Sequence, residues 1–331
     1  MNENYLPIPE NEPPKPARRG PSTAAVSAIV IVVLLLLGFG LRGFLARTGP
    51  GGGDMTCNIS ERFENVRVET VSADVRFRVG GSDTCIVEYK GPSRMRCTAE
   101  VKNGTLTVAE KPARRWPFGL WGLFGTHRVE VTVFLPERQY DELSIETASG
   151  DIEAPSGGVF RELSVSSTSG DQILDGVEAD SLTAQSTSGN VSVQNSRLGS
   201  LDVSTTSGDQ KAASTDIAGH AGFEAVSGNI SVQNGSFGSL AVSTTSGDQD
   251  IASAAVDGHA SFSAVSGNIS LLASDAGSLE FSTTSGDVCT ELLTPKEYIT
   301  ETTSGDVSVP VSAPGAGRCS VTTVSGDITC Q

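Results

Sequence analysis

Ten side chains that could bind a cation or move a proton stand at near-equal spacing, each directly after a Ser-Gly pair: Asp151, Asp171, Asn190, Asp209, Asn229, Asp248, Asn268, Asp287, Asp306 and Asp327. A file of side-chain oxygens suggests calcium, which takes oxygen ligands. The GGxGxD nonapeptide of calcium-binding solenoids is absent, however. If successive segments stack roughly 4.8 Å apart, exchanging Asp with Asn separates the carboxylates and relieves about 1 kcal/mol of repulsion per neighbour in water. We therefore read the file as structural. His220 and His259 would lie two layers apart, roughly 9–10 Å, too far to share an ion held by bonds near ~2 Å. His127 stands alone at the start of a strand. Neither a metal nor a cofactor site is expected.

The abundant serines and threonines raise the question of nucleophilic catalysis. No G-x-S-x-G elbow leads into a helix and no base is paired with a serine at suggestive spacing. Hydroxyl ladders are ordinary on stacked strands, where they bond along the column. A carbohydrate-active β-helix enzyme is the catalytic alternative because Asp is plentiful, but scarce Lys and Arg in the repeats argue against a lyase. The expectation is a protein that is not an enzyme.

These side chains are positioned by a repeat. Its glycines are Gly150, Gly170, Gly189, Gly208, Gly228, Gly247, Gly267, Gly286, Gly305 and Gly326, between 19 and 21 residues apart. Seven residues before each glycine runs the column Leu143, Leu163, Leu182, Leu201, Ala221, Leu240, Ala260, Leu279, Tyr298, Cys319. Five before it runs Ile145, Val165, Ala184, Val203, Phe223, Val242, Phe262, Phe281, Thr300, Val321. Alternation of two marks a strand with one face inward. Where the first column shrinks to Ala221 and Ala260, the second swells to Phe223 and Phe262, as a core of constant volume requires. A third column, from Ala154 and Leu174 to Val309 and Cys330, follows four residues after each glycine. The predicted fold is all-β: a parallel β-solenoid (β-helix) of about eleven coils, each of two strands joined at Ser-Gly-Asp. Two 39-residue blocks, Ser204–Val242 and Ser243–Phe281, match at 23 positions, which favours repetition over a single catalytic pocket.

The net charge of -16 is unevenly spread: residues 1–140 hold 18 Lys+Arg against 14 Asp+Glu, whereas residues 141–331 hold 5 against 25. Such a surface repels nucleic acid and suits cationic peptides, although a solvated, solubilising face is the simpler reading. All six cysteines follow residue 56, and an even number on one side of a membrane suggests an oxidising exterior. Cys319 and Cys330 replace inward residues of the same final coil and are expected to bond across its core. Cys85 and Cys97 flank Gly91-Pro92-Ser93 symmetrically and are expected to pair on a hairpin. Cys57 and Cys289 remain, paired only by elimination.

Residues 1–23 are rich in Pro and charge and read as a disordered cytoplasmic tail. Residues 24–41, AAVSAIVIVVLLLLGFGL, carry no charge over eighteen residues, near the roughly 20 that cross a bilayer. They predict a transmembrane signal anchor, and cysteine placement sets the N-terminus in the cytoplasm and the rest outside. Residues 42–58 form a linker with a Gly-rich stretch. Residues 59–140 predict a first coil over Phe63–Val79, in which Val71-Ser72-Ala73-Asp74 is a degenerate corner, then hairpins and a strand leading into the repeats of 141–331. Within this part Arg114, Arg115, Trp116, Phe118, Trp121 and Phe124 lie in the most apolar short stretch outside the anchor. It reads either as a plug over the open end of the core or as a loop resting on an anionic leaflet.

The run VRVETVSADV, the strand HRVEVTVFLPE leading to LSIETASGDIEA, and the repeated L-x-V-x-T-T-S-G-D-V pattern resemble the bacterial putative-adhesin β-helix family, a domain of unknown function. The resemblance covers roughly Ile59 to Gln331. It implies a parallel β-solenoid on a bacterial surface, often behind a membrane anchor and in some members linked to envelope stress, with no catalytic residues to carry over. The six cysteines and the Trp-rich insertion depart from that pattern. The function expected is a membrane-anchored, adhesin-like scaffold or binding module facing cell-wall or matrix polymers. The alternative is an envelope-stress sensor that binds cationic peptides and signals to a membrane protein.

Overall fold

The computed structural model describes residues 54–92, 95–112 and 128–331. The predicted tail, the predicted membrane helix and most of the linker fall outside these residues, as do Arg114, Arg115, Trp116, Phe118, Trp121, Phe124 and His127. Among the described residues no helix is long and apolar enough to cross a membrane.

The described chain is all-β, a parallel β-solenoid of about ten turns. Each typical coil contributes one strand before its Ser-Gly-Asp/Asn corner to a first wall and one after it to a second. Residues one repeat apart pair in register, as Leu163 does with Leu182 and Leu182 with Leu201. The predicted columns point inward: Leu143, Leu163, Leu182, Leu201 and Val165 are fully buried, and Leu174 and Val193 are buried on the second wall. Ala221 sits between Leu201 and Leu240 while Phe223 sits between Val203 and Val242, so neighbouring coils trade volume between the two columns. Phe262 stacks on Phe281 with centroids 5.0 Å apart.

Two further features complete each coil. Six residues after the corner glycine lies a second turn with positive φ at Gly176, Asn195, Ser214, Asn234, Ser253 and Ala273. Beyond it a fourth inward column runs through Tyr140, Phe160, Ala179, Leu198, Ile217, Phe237, Val256 and Ala276, all buried. Coils of 20 residues absorb their extra residue as bulges here, for example between Leu198 and Leu201 on one side of the ladder.

The ends of the stack depart from chain order. Define β1 (Met55–Ile59), β2 (Asn65–Thr70), β3 (Ala73–Val79), β4 (Cys85–Lys90), β5 (Met95–Lys102), β6 (Thr105–Pro112), β7 (Val129–Leu135), β8 (Gln139–Ser149) and β9 (Ile152–Glu153). β2 and β3 form a coil around Val71-Ser72, as expected. On one side they pair with β8 and β9; on the other they pair in parallel with β6 and β7. Thus β6, which keeps its expected hairpin with β5 through Asn103-Gly104, and β7, expected as a lead-in strand, are also the two walls of a coil lying outside the first. Beyond it the walls end in antiparallel strands, β5 on β6, and β4 then β1 on β7. β4 and β5 therefore lie on opposite walls and do not form a hairpin with each other.

The C-terminal end mirrors this. Strand Gly317–Ser325 pairs with Ile269–Ser285 on one side and with Lys296–Ser304 on the other, and Ile328–Cys330 is likewise flanked by Val288–Leu292 and Val307–Ser308. The last coil in the chain is thus the second-last in space, inserted beneath the coil of residues 296–308.

Candidate functional site

The corner file is an extensive array of polar side chains that runs the length of the described stack. Each corner Asp or Asn but the last offers its Oδ1 to the backbone N–H of the equivalent residue in the next coil. The chain of bonds runs Asp74, Asp151, Asp171, Asn190, Asp209, Asn229, Asp248, Asn268, Asp287, Asp327, Asp306 at 2.8–3.1 Å. An acceptor oxygen is all the site demands, so Asp and Asn serve equally and no acid is excluded for Asn to replace. The bonds also record the spatial order, since Asp327 bonds Asp287 and Asp306 bonds Asp327. The glycine beside each is fixed by close approach. A Cβ on Gly228 (φ +154°) would run into the carbonyl oxygen of Gly208, and the same collision recurs along the file. At the outer end Ala73 replaces glycine, and buried Glu110 of the outermost coil closes the file by accepting from the N–H groups of Val71 (2.8 Å) and Ser72 (2.9 Å).

Inside the corner, hydroxyls three residues before the glycine carbonyl donate to it, as Thr205 does to Gly208 at 3.0 Å. Every second coil adds a buried glutamine: Gln172 donates to the Ser167 hydroxyl at 2.8 Å and Gln210 to Thr205 at 2.9 Å. The Asp corners at 171, 209 and 248 carry these glutamines, while the Asn corners carry Val191, Ile230 and Ile269. Asp–Gln and Asn–aliphatic coils thus alternate, a pairing of residue types that is readable in the sequence.

The outward face of the first wall carries a shallow groove of about 310 Å³ around Gly222, which is flanked by Asp202 and Ala241 in adjacent coils. Asp202 and His220 lean over Gly222; a Cβ there would stand 2.9 Å from Asp202 Oδ1 and 3.4 Å from His220 Nε2. His220 and His259 each bond a serine of the next coil through Nδ1, to Ser239 (3.0 Å) and Ser278 (2.9 Å). They occupy equivalent positions in different coils and do not converge. Among the described residues no three His, Cys, Asp or Glu side chains come together to hold a metal.

No disulfide joins any of the six cysteines in this structure. No Cys319–Cys330 bond is present, but the two buried residues share one coil as expected, Cys319 in the first wall between Leu279 and Tyr298 and Cys330 in the second wall beside Thr290. The expected Cys85–Cys97 bridge is not formed because the hairpin expected to carry it is absent: β4 pairs with β1 and β7, and β5 with β6, so Cys85 lies opposite Ile59 and Cys97 opposite Glu110. Burial pushes the thiols of Cys85, Cys97 and Cys319 up to about 12, which makes them poor nucleophiles at neutral pH. Cys289 is exposed. Arg114, Arg115, Trp116, Phe118, Trp121 and Phe124 lie outside the described residues.

A parallel solenoid built from such corners defines a recognisable class, and its family model, Toastrack DUF4097, matches residues 63–331. The chain belongs to the Toastrack DUF4097 family. Among solved structures it is similar to a "putative adhesin" from Parabacteroides distasonis, at 15% identity and TM-score 0.49, covering 84% of this chain and 97% of that one. It is also similar to a "putative lipid binding protein" from the same organism, at 15% identity and TM-score 0.44, covering 72% and 97%. A third, a "putative adhesin" from Parabacteroides merdae, gives 12% identity and TM-score 0.44 over 83% and 96%. No curated protein matches the chain.

Proposed function

We propose that this protein is a bacterial membrane-anchored, non-enzymatic binding module. The apolar segment 24–41 holds it in the cell membrane with the N-terminus in the cytoplasm, and the solenoid stands outside as an adhesin-like scaffold for cell-wall or matrix polymers. The observation that carries this reading is the outward face of the first wall. Its side chains form in-register columns, such as Gln185, Ser204, Glu224, Ser243 and Ser263, repeated coil after coil. A surface that repeats along an axis suits a ligand that repeats along its length, because many weak contacts add through effective concentration. A second reading, an envelope-stress sensor that binds cationic peptides and passes the event to a membrane protein, is favoured by the 25 acidic against 5 basic residues over 141–331.

Pull-down of the detergent-purified full chain on insoluble wall and matrix polymers, repeated with cationic peptides across rising salt, separates the two. The scaffold reading expects polymer binding that survives 0.5 M salt. Peptide binding that collapses with salt, without polymer binding, would replace it with the sensor. Release of reducing ends from either polymer would contradict both.

A further inference from the structure

We propose that Cys57 and Cys97 form a disulfide that staples the two walls together where the chain enters the solenoid from its N-terminal side. This rests on the extracytoplasmic placement proposed above. Among the described residues β5 is the outermost strand of the first wall and β1 the outermost strand of the second, since each pairs with one neighbour, β6 and β4 respectively. The two strands face each other across the end of the core, with backbones within 8 Å. Cys57 packs against the core alongside Ile59, and Cys97 is buried in it. The sulfurs also feel each other: after burial, Cys57 is the next largest influence raising the Cys97 thiol.

Other partners fit poorly. Cys57 lies opposite Val87, and Cys85 lies opposite Ile59. Cys57 and Cys85 are therefore diagonal neighbours about 7–8 Å apart, beyond the roughly 4 Å between Cβ atoms that a disulfide spans. Cys319 and Cys330 belong to the far end of the stack.

The bond forms by thiol–disulfide exchange with a disulfide-bearing oxidant. Half-buried Cys57 is the accessible sulfur. Its thiolate attacks the oxidant's disulfide, making a mixed disulfide and releasing one oxidant thiolate. Cys97 then loses its proton to solvent and attacks the Cys57 sulfur, expelling the second oxidant thiolate. Two electrons pass to the oxidant, which takes up two protons and leaves as two thiols.

The consequence is mechanical. β1 is the first described strand after the predicted anchor, so tension between membrane and solenoid reaches β1 before any other strand. Alone, β1 is an edge strand held by one antiparallel ladder; the bond ties it covalently to the opposite wall.

The test uses the purified full chain in a glutathione buffer poised like an oxidising exterior. Free thiols are alkylated and linked peptides are mapped by mass spectrometry. The expected result is a Cys57–Cys97 cross-link that persists in Cys85→Ser and disappears in Cys57→Ser and Cys97→Ser, each leaving its former partner alkylatable. Reduction should speed hydrogen exchange of the β1 amides at least tenfold while Val232 and Ile251 stay protected. A Cys85–Cys97 link, or full alkylation of Cys57 in the oxidising buffer, overturns the proposal. A bond that forms in the buffer, with both thiols free in protein alkylated inside intact cells, leaves the pairing standing and overturns the extracytoplasmic placement.

Discussion

The two ends of the solenoid solve one problem in different ways. A stack of coils ends in a bare core and a row of unpaired backbone groups, both hazards for association. At the N-terminal end the outermost coil is covered by antiparallel strands, and its core residues Leu106, Val108, Val131 and Val133 are fully buried. At the C-terminal end no further strand covers the coil of residues 296–308 among the described residues. Its inward positions Tyr298 and Val309 are partly exposed and Val307 is exposed. Here the chain returns beneath its own terminal coil, so that coil is held covalently at both of its ends. The return segment also crosses its edge, where Ser312 Oγ accepts from the Tyr298 N–H at 3.0 Å and the Ala313 N–H donates to Lys296 O at 3.0 Å. One end is capped and the other is threaded.

Lys296 is the bolt of the threaded end. From the terminal coil it reaches past Gly317 to the coil two layers below, where its Nζ meets Asp275 Oδ1 at 2.6 Å and Ala276 O at 2.7 Å, and it also donates to Thr294 Oγ1, two residues before it, at 2.9 Å. The Lys296 side chain is 5% exposed and that of Asp275 27%. Ion pairs on the capped side are more exposed. Arg67–Glu146, Arg76–Glu130 and Arg78–Glu153 lie on the outer faces of adjacent strands, where such pairs contribute about 0–1 kcal/mol each.

Steric substitutions probe this difference most strongly. Gly228→Ala in the body should cost about 4 kcal/mol or more, or abolish folding, because coils on both sides are fixed against the collision. Gly305→Ala meets the same obstacle, the carbonyl of Gly326, but the terminal coil has an open side and can lift, so about 1–2 kcal/mol is expected. Denaturant midpoints of the two variants measure the contrast, and equal losses would erase the distinction between body and end.

Lys296→Met should cost about 2 kcal/mol and raise hydrogen exchange over 296–304 while leaving β2 and β8 unchanged. Burial acts to raise the Asp275 carboxyl, but hydrogen bonds from Lys296, Thr294 and the Ala276 N–H, with the Lys296 charge, hold it below its ordinary value. A depressed acid stabilises the fold above its unfolded pKa, about 4, and that contribution is lost as pH falls through the lowered folded value. Exchange at the threaded end should therefore rise below about pH 4 in the wild type, and this acid step should vanish in Lys296→Met.

The smallest effects belong to the corner file. Asp248→Ala should cost about 1 kcal/mol by stranding the Asn268 N–H. Asp248→Asn keeps the acceptor and should be neutral in urea unfolding. A loss as large for Asn as for Ala would mean that charge, rather than hydrogen bonding, holds the file.

Much of the body was legible because its signals repeat without interruption: the glycine period, the two columns before it and the one after. The degenerate corner at Val71-Ser72-Ala73-Asp74 was legible for the same reason. The fourth inward column, Phe160 to Ala276, was hidden because bulges in the 20-residue coils slide it by one position and blur its period. The second turn left a chemical trace in Gly176, Asn195 and Asn234, residue types that tolerate positive φ, but Ser253 and Ala273 dilute it. Chain order suggested the wrong neighbours at both ends. Parallel pairing does not require consecutive coils to touch, and a corner such as Asp306 is compatible with either neighbour. The expected Cys85–Cys97 pairing followed from the same assumption: symmetry about Gly91-Pro92-Ser93 indicated a hairpin, whereas β4 pairs with β1 and β7 and β5 with β6.

The out-of-order stacking can be tested directly with engineered cysteine pairs on the first wall, followed by a short thiol cross-linker and peptide mapping. Ser285 registers with Ser325, and Ser325 with Ser304. Ser285→Cys combined with Ser325→Cys should cross-link rapidly, and Ser285→Cys combined with Ser304→Cys should not. Efficient coupling of 285 with 304, and none of 285 with 325, would place the coils in chain order and contradict the threaded end.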